Sequence, residues 1–361
     1  MGNVDAALFG IKEIVRSVLP EIKTLRHDLH KSPETGFEVR RTREILLEAL
    51  EKSDINFLPA SLDSGVVTLL EGNHEGRNVT LRADMDALPI EDISGVEWCS
   101  KNSGFSHACG HDGHMAILAG TIRVLEQLKD RIPGSVRFVF QPAEEMGGGG
   151  KIMVEKGILD RDPPASAVYA LHGWTQLPPC VIAAIPGPMM AAADTFTITL
   201  RGPGGHGAFP HLTTDLVVLS AKIVQSLQTV TSRIIDPLDP VVVSVCSVQA
   251  GTASNIIPDT AVLKGTTRYF DRSLKNKIAG SMENIIKGIC EGAGAGYEFD
   301  YGEGYIPLLN DPDLVKFAEE TVKTYLGENA WFEDIRPSMG AEDFSFYLKK
   351  VPGVFFFLGV G

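Results

Sequence analysis

The chain has 361 residues, 44% of them hydrophobic and 22% charged, with a net charge of −13. That length suits one large or two medium domains with enough chain to bury a core, and the composition is that of a soluble globular protein. The acidic balance argues against nucleic acid or an anionic membrane as partner, while leaving room for a locally positive site that takes a small anionic substrate.

Residues 8–30 read as an amphipathic helix with charges throughout, lacking the basic start and unbroken apolar stretch of a secretory leader. A second helix is expected over 40–53, then strands at VVTLLEG and NVTLRADMDAL and a loop rich in Ser, Gly and Asn. MAILAGTIRVLEQLKD, starting near His114, reads as a helix, SVRFVFQPAEE as a strand, KIMVEKGIL as a helix and AVYALHGW as a buried strand. This alternation up to about residue 187 predicts an α/β fold with a mostly parallel sheet. IPGPMM at 185–190 reads as a hinge, after which the pattern changes. DTFTITLR is a strand, DLVVLSAKIVQSLQTVTSRI a helix, VVVSVCSVQAG and AVLKGTTRYF two strands, RSLKNKIAGSMENIIKGICEGAG a helix and GYEFDYGEGY a strand. That β-α-β-β-α-β order is the layout of a ferredoxin-like α+β domain. The domain is expected at 188–302, inserted in a first domain formed by 1–187 and 303–361. An open sheet edge, expected from 241–251 together with 194–201, needs cover or a partner and suggests a dimer.

No apolar run reaches the length of a membrane span, and GVFFFLGVG is only strand-length. The five cysteines, at 99, 109, 180, 246 and 290, fall singly, which suits a reducing compartment and a cytoplasmic protein. Cys99, Cys180, Cys246 and Cys290 read as core or near-surface thiols.

Chemistry concentrates in HACGHDGH, residues 107–114. Its two glycines let the backbone bend so that Cys109 and His111 converge, and thiolate with imidazole suits a zinc-like ion. Further candidate ligands sit at the ends of predicted strands, where open α/β sheets bind ligands: Asp84 and Asp86, Glu144 and Glu145, and His172. Adjacent carboxylates such as Glu144 and Glu145 can divide their roles, one binding metal and the other staying free as a base. His107 and His114 read as loop-shaping or outer residues, His27, His30 and His74 as structural, and His211 as either. The four glycines 147–150 do not make a phosphate loop, because Glu145 stands where that pattern needs Gly and Ile152 where it needs Ser or Thr.

Seven motifs occur in order: LRADMDALPI, HACGHDGHMA, QPAEEMGGGG, ALHGW, GPGGHGAFPH, SNIIPDTAVLKGTTRYF and MGAEDFSFY. Together they resemble the M20 metallopeptidase family, in its amidohydrolase branch of hippurate, indoleacetyl-amino-acid and N-acyl-amino-acid hydrolases. The resemblance covers essentially the whole chain. It implies a zinc-peptidase-like catalytic domain holding two divalent metal ions, with the inserted domain as lid and dimerisation surface. Zinc is favoured by the thiolate, with manganese, cobalt and nickel as alternatives.

By the same resemblance Cys109 would bridge the metals, His111 and Glu145 would complete one site, and His172 would serve the other. Glu144 would be the general base, Asp86 a carboxylate orienting the site, and His206 an oxyanion donor, acting across a dimer. Asn255 and Arg268 would contact substrate, although Arg268 fits a surface-strand charge equally well. The family's last metal ligand is a histidine just beyond a strand like VFFFLGVG. No histidine follows His211 here, so the second metal set is expected to be incomplete in this sequence or completed by residues beyond it.

The expected activity is hydrolysis of N-acyl or N-aroyl amino acids, hippurate-like or N-acetyl. The alternatives are a dipeptidase or aminopeptidase, for which Glu342 and Asp343 would have to supply an acidic pocket, and a catalytically silent small-molecule-binding relative.

Overall fold

The run PGSVRFVFQ forms the strand Pro133–Gln141, whose last seven residues are all buried, inside a seven-stranded sheet. It does so in a computed structural model that describes residues 2–361, with side chains from Gly10 onward. The sheet runs in the order Asn56–Leu58, Val66–Glu71, Pro133–Gln141, His74–Asp84, Ala165–Trp174, Gly353–Gly359, Ile182–Ala183. The helix His111–Glu126 is part of the crossover between His74–Asp84 and Pro133–Gln141, which pair in parallel as such a connection requires. Ala165–Trp174 pairs in parallel with both His74–Asp84 and Gly353–Gly359. The other three neighbouring pairs are antiparallel. The expected mostly parallel sheet is therefore a mixed one. Periodicity decides which face of a strand is buried, but not the direction of its neighbour.

Two compact units make up the chain. The first comprises Met1–Met189, Leu309–Arg336 and Asp343–Gly361; the second comprises Met190–Leu308 and Pro337–Glu342. Each has its own core. In the first, Leu25 and Leu29 of helix Gly2–His30 join Leu46 and Leu50 of helix Arg40–Leu50 and Met115 and Ile122 of helix His111–Glu126. These cover Val66, Leu70, Phe138 and Phe140 of the sheet. Within the expected hinge IPGPMM, Gly187–Met190 is a strand laddered with Leu308–Asn310.

In the second unit the strand order is Val241–Ala250, Thr260–Tyr269, Ala192–Arg201, Gly296–Tyr301, all antiparallel. Phe196, Ile198 and Leu200 stand at alternate positions, so they share one face of their strand and pack in a core with helices Leu216–Thr229 and Leu274–Ala293. The carboxylate of Asp215 caps the first of these helices by accepting from the amides of Val217 and Val218. That helix is shorter than its sequence pattern suggests, and Val230–Ile234 continues as a π-helical turn. Ala192–Arg201 is an interior strand, so the edge expected from it is absent; the edges are Val241–Ala250 and Gly296–Tyr301. Among the described residues no helix is long and apolar enough to cross a membrane.

Candidate metal centre

Within HACGHDGH the loop gives way to the helix His111–Glu126 at Gly110, which takes the left-handed φ of +81°. A residue with a side chain would be strained there. The turn places Cys109 just before the helix and His111 as its first residue. Ligand atoms of Cys109, His111 and His172 lie within 4.8 Å of one another, and so do those of His111, Glu144 and Glu145. The two groups share His111. Glu144 and Glu145 follow the strand Pro133–Gln141, and His172 lies near the end of Ala165–Trp174. The carboxyl ends of parallel strands thus converge on one place, as open α/β sheets generally arrange.

Each imidazole has one nitrogen committed. His111 Nδ1 donates to the backbone carbonyl of Asp86 at 2.7 Å, and His172 Nδ1 donates to the carbonyl of Gly173 at 2.7 Å. A carbonyl only accepts, so both protons sit on Nδ1 and both lone pairs on Nε2. His111 Nε2 is buried without a hydrogen-bond partner, and so is Glu145 Oε1; they stand 3.8 Å apart. Two facing acceptors in an interior are costly to leave unsatisfied, and a cation satisfies both. Burial pulls the His111 imidazole down to about 3 and that of His172 to about 4, preserving the neutral form a ligand needs. Burial also raises the Cys109 thiol, and the neighbouring carboxylates of Glu145, Glu144 and Asp84 add to that rise. A cation would reverse that effect and favour the thiolate. The donor set therefore fits divalent metal.

Asp86 holds the glutamate pair by its main chain. Its Oδ1 accepts from the Glu144 amide at 2.8 Å and its Oδ2 from the Glu145 amide at 3.1 Å. Burial pushes its carboxyl up to about 7, against the pull of those two bonds. Ala143, immediately before the pair, has a φ of +59°, a conformation that costs a non-glycine residue of order 1 kcal/mol or more and is often found at functional sites. The glycine tract has a steric explanation, since a Cβ on Gly149 would lie 1.8 Å from the Pro142 carbonyl oxygen.

Both oxygens of Asp84 are hydrogen-bonded. Its Oδ1 accepts from His114 Nδ1 at 2.7 Å and its Oδ2 from Arg82 Nη1 at 2.8 Å. Burial opposes its charge, but the Arg82 guanidinium and the hydrogen bond from His114 hold its carboxyl well below the usual range. Arg82 also donates to Asp343 Oδ1 at 2.9 Å and to Gln141 Oε1 at 3.0 Å, and the Gly150 amide donates to Asp343 Oδ2 at 2.7 Å. All four side chains are fully buried or nearly so. Asp343 is thus committed within this network. Arg82 and Gln141 carried no role in the sequence reading. Their signal was a charge and an amide at positions of otherwise apolar strands.

In the second unit Gly205–His206 pairs with Ile256–Ile257, and the Gly207 amide donates to the Asn255 carbonyl at 2.8 Å, so His206 and Asn255 lie side by side. His206 Nδ1 accepts from the Ala208 amide at 3.1 Å, which leaves the ring proton on Nε2 as a donor. The ring is exposed. Arg268 is half-buried on Thr260–Tyr269, with Nη1 bonded to Thr266 Oγ1 and the Thr267 carbonyl. His107 is buried with neither nitrogen bonded, and burial pulls it down to about 4. His30 bonds Asp112 at 2.9 Å, while His27 stacks on Trp98 at 3.9 Å.

Residues 80–361 match the family model described as peptidase family M20/M25/M40. An N-acyl-L-amino acid amidohydrolase from Geobacillus stearothermophilus is 43% identical over 301 residues, 83% of this chain and 80% of the relative. Thermostable carboxypeptidase 2 from Saccharolobus solfataricus is 38% identical over 353 residues, 97% of this chain and 88% of the relative. A crystal structure from Bacillus subtilis, described as a dinuclear metal-binding peptidase from the M20 family, superposes with a TM-score of 0.81. It is 32% identical, and the match covers 95% of this chain and 89% of that one.

Proposed function

This chain belongs to peptidase family M20/M25/M40, and from that membership we propose a two-metal amidohydrolase with Glu144 as its general base. It is a hydrolase that cleaves the amide bond of N-acyl amino acids. The observation that carries the metal assignment is the pair of buried, unsatisfied acceptors on His111 and Glu145. Cys109, His111 and Glu145 would hold one ion, and Cys109 and His172 would serve the second. Thiolate, imidazole and carboxylate together favour zinc, with manganese, cobalt and nickel as alternatives. Divalent ions in such a set polarise a carbonyl and acidify water.

Glu144 takes the proton of the attacking water and returns it to the departing nitrogen. Asp86 fixes Glu144 and Glu145 through their amides. His206, with its proton on Nε2, is assigned to the oxyanion, and Asn255 and Arg268 to the substrate carboxylate. The amidohydrolase and the carboxypeptidase among the relatives share one bond type: an amide whose nitrogen belongs to a residue with a free carboxylate. N-acetyl and N-aroyl amino acids are therefore the proposed substrates.

Hydrolysis of a panel of acetyl, benzoyl and longer-acyl amino acids should stop on chelation and return with zinc or manganese. Turnover that survives exhaustive chelation, in protein shown to be metal-free, would remove the metals from the reaction.

We assign the second unit as a ferredoxin-like lid that also joins two copies. Its strand order and the unpaired edge of Val241–Ala250, with Val248 exposed, support this. Light scattering should give twice the chain mass. A monomer at high concentration would sink the dimer, and with it His206 acting in trans.

A further inference from the structure

We propose that His114 is a positioning residue that sets the end of strand Ala165–Trp174, and through it the lone pair that His172 offers; this rests on the metal site proposed above. Asp84, His111 and His114 bring ligand atoms within 4.8 Å of one another and could be taken for another metal set. Hydrogen bonding decides otherwise. His114 Nε2 accepts from the Gly173 amide at 2.8 Å, and its Nδ1 meets Asp84 Oδ1 at 2.7 Å. An amide only donates, so the proton is on Nδ1 and is given to Asp84. Both nitrogens are used, and Arg82 occupies the other oxygen of Asp84.

Gly173 is the joint. Its N–H is held by His114, and its carbonyl holds the Nδ1 proton of His172. A continuous series of hydrogen bonds thus runs Arg82, Asp84, His114, Gly173, His172, with the first three side chains buried. The two imidazoles lie edge to face, 4.7 Å between centroids. Hydrogen-bonded partners behind a metal-binding histidine fix its ring and its tautomer. Here one histidine does this for another by way of the main chain.

Two substitutions separate the two bonds. His114→Gln brings an amide oxygen to the place of Nε2 and keeps the acceptor for Gly173. His114→Asn keeps a donor at the place of Nδ1 and loses that acceptor. Zinc titrated into the metal-free protein should bind roughly 10–100-fold more weakly to the Asn variant. The Gln variant should recover most of that loss, and kcat at limiting zinc should follow occupancy. Melting of the metal-free proteins reports whether each variant folds. Independently of any variant, nitrogen NMR of histidine-labelled wild type should show His114 protonated on Nδ1 alone. Equal zinc affinity in Asn, Gln and wild type, equal losses in both folded variants, or an Nε2-protonated His114 would overturn the positioning role while leaving the metal site standing. A wild type that binds no divalent ion would overturn both.

Discussion

Glu144→Gln should lower hydrolysis by about two to four powers of ten while fold and metal content stay unchanged. The substitution keeps the shape of the side chain and removes its ability to accept a proton. The position of residue 144 does not depend on that carboxylate being charged, because Asp86 Oδ1 holds its amide. Glu145 and His111, which present the unsatisfied acceptors, are untouched. The variant should therefore bind metal and substrate normally and fail at the proton transfer, so that kcat falls and KM changes little. Elemental analysis and melting of the purified variant accompany the kinetics. Near-normal turnover in a folded, metal-loaded variant would exclude Glu144 as the base.

Arg82→Met should cost about 3–5 kcal/mol of stability, the usual result of removing one partner from a buried ionic network. The guanidinium lies between two buried carboxylates, Asp84 and Asp343, and reaches Gln141 as well. Methionine fills much of the volume but neutralises neither charge. Folded domains have only about 5–15 kcal/mol in hand, so this single change should move the urea midpoint far. Asp343→Asn in the same chain should restore part of the loss, because it removes one of the two charges left without the arginine. A loss below about 1 kcal/mol would mean that water or rearrangement satisfies the aspartates.

The sequence was most legible where spacing and chemistry coincide. HACGHDGH, the Glu144–Glu145 pair and His172 could each be picked out as ligand-type residues at the ends of elements, and the structure brings them together. The order of elements in the second unit was also legible from alternation. What failed to show was anything that depends on partners distant in sequence. The antiparallel placement of Val66–Glu71 beside Pro133–Gln141 leaves no trace in either segment, so the sheet looked mostly parallel. Ala192–Arg201 looked like an edge because its alternation is the same whether one or both of its sides are paired. The network around Asp84 was hidden too, because Arg82, on the same face two residues earlier, gives no hint that it reaches Asp343 across the fold. The glycines 147–150 could be excluded as a phosphate loop from sequence, but their reason, that the backbone of Pro142 leaves no space for a side chain at Gly149, could not be seen there.

His111 and His172 share a feature with a bearing on how such a centre tolerates divergence. Each gives its outer proton to a peptide carbonyl, of Asp86 and of Gly173, rather than to a side chain. A peptide acceptor survives every substitution that leaves the chain path intact, so drift in neighbouring residues cannot swap the tautomer of either ring. The ligand nitrogens are inherited with the backbone. Engineering of metal preference would then find little purchase behind His111, and would act instead on His114 behind Gly173, on the sulfur of Cys109 or on the carboxylate of Glu145.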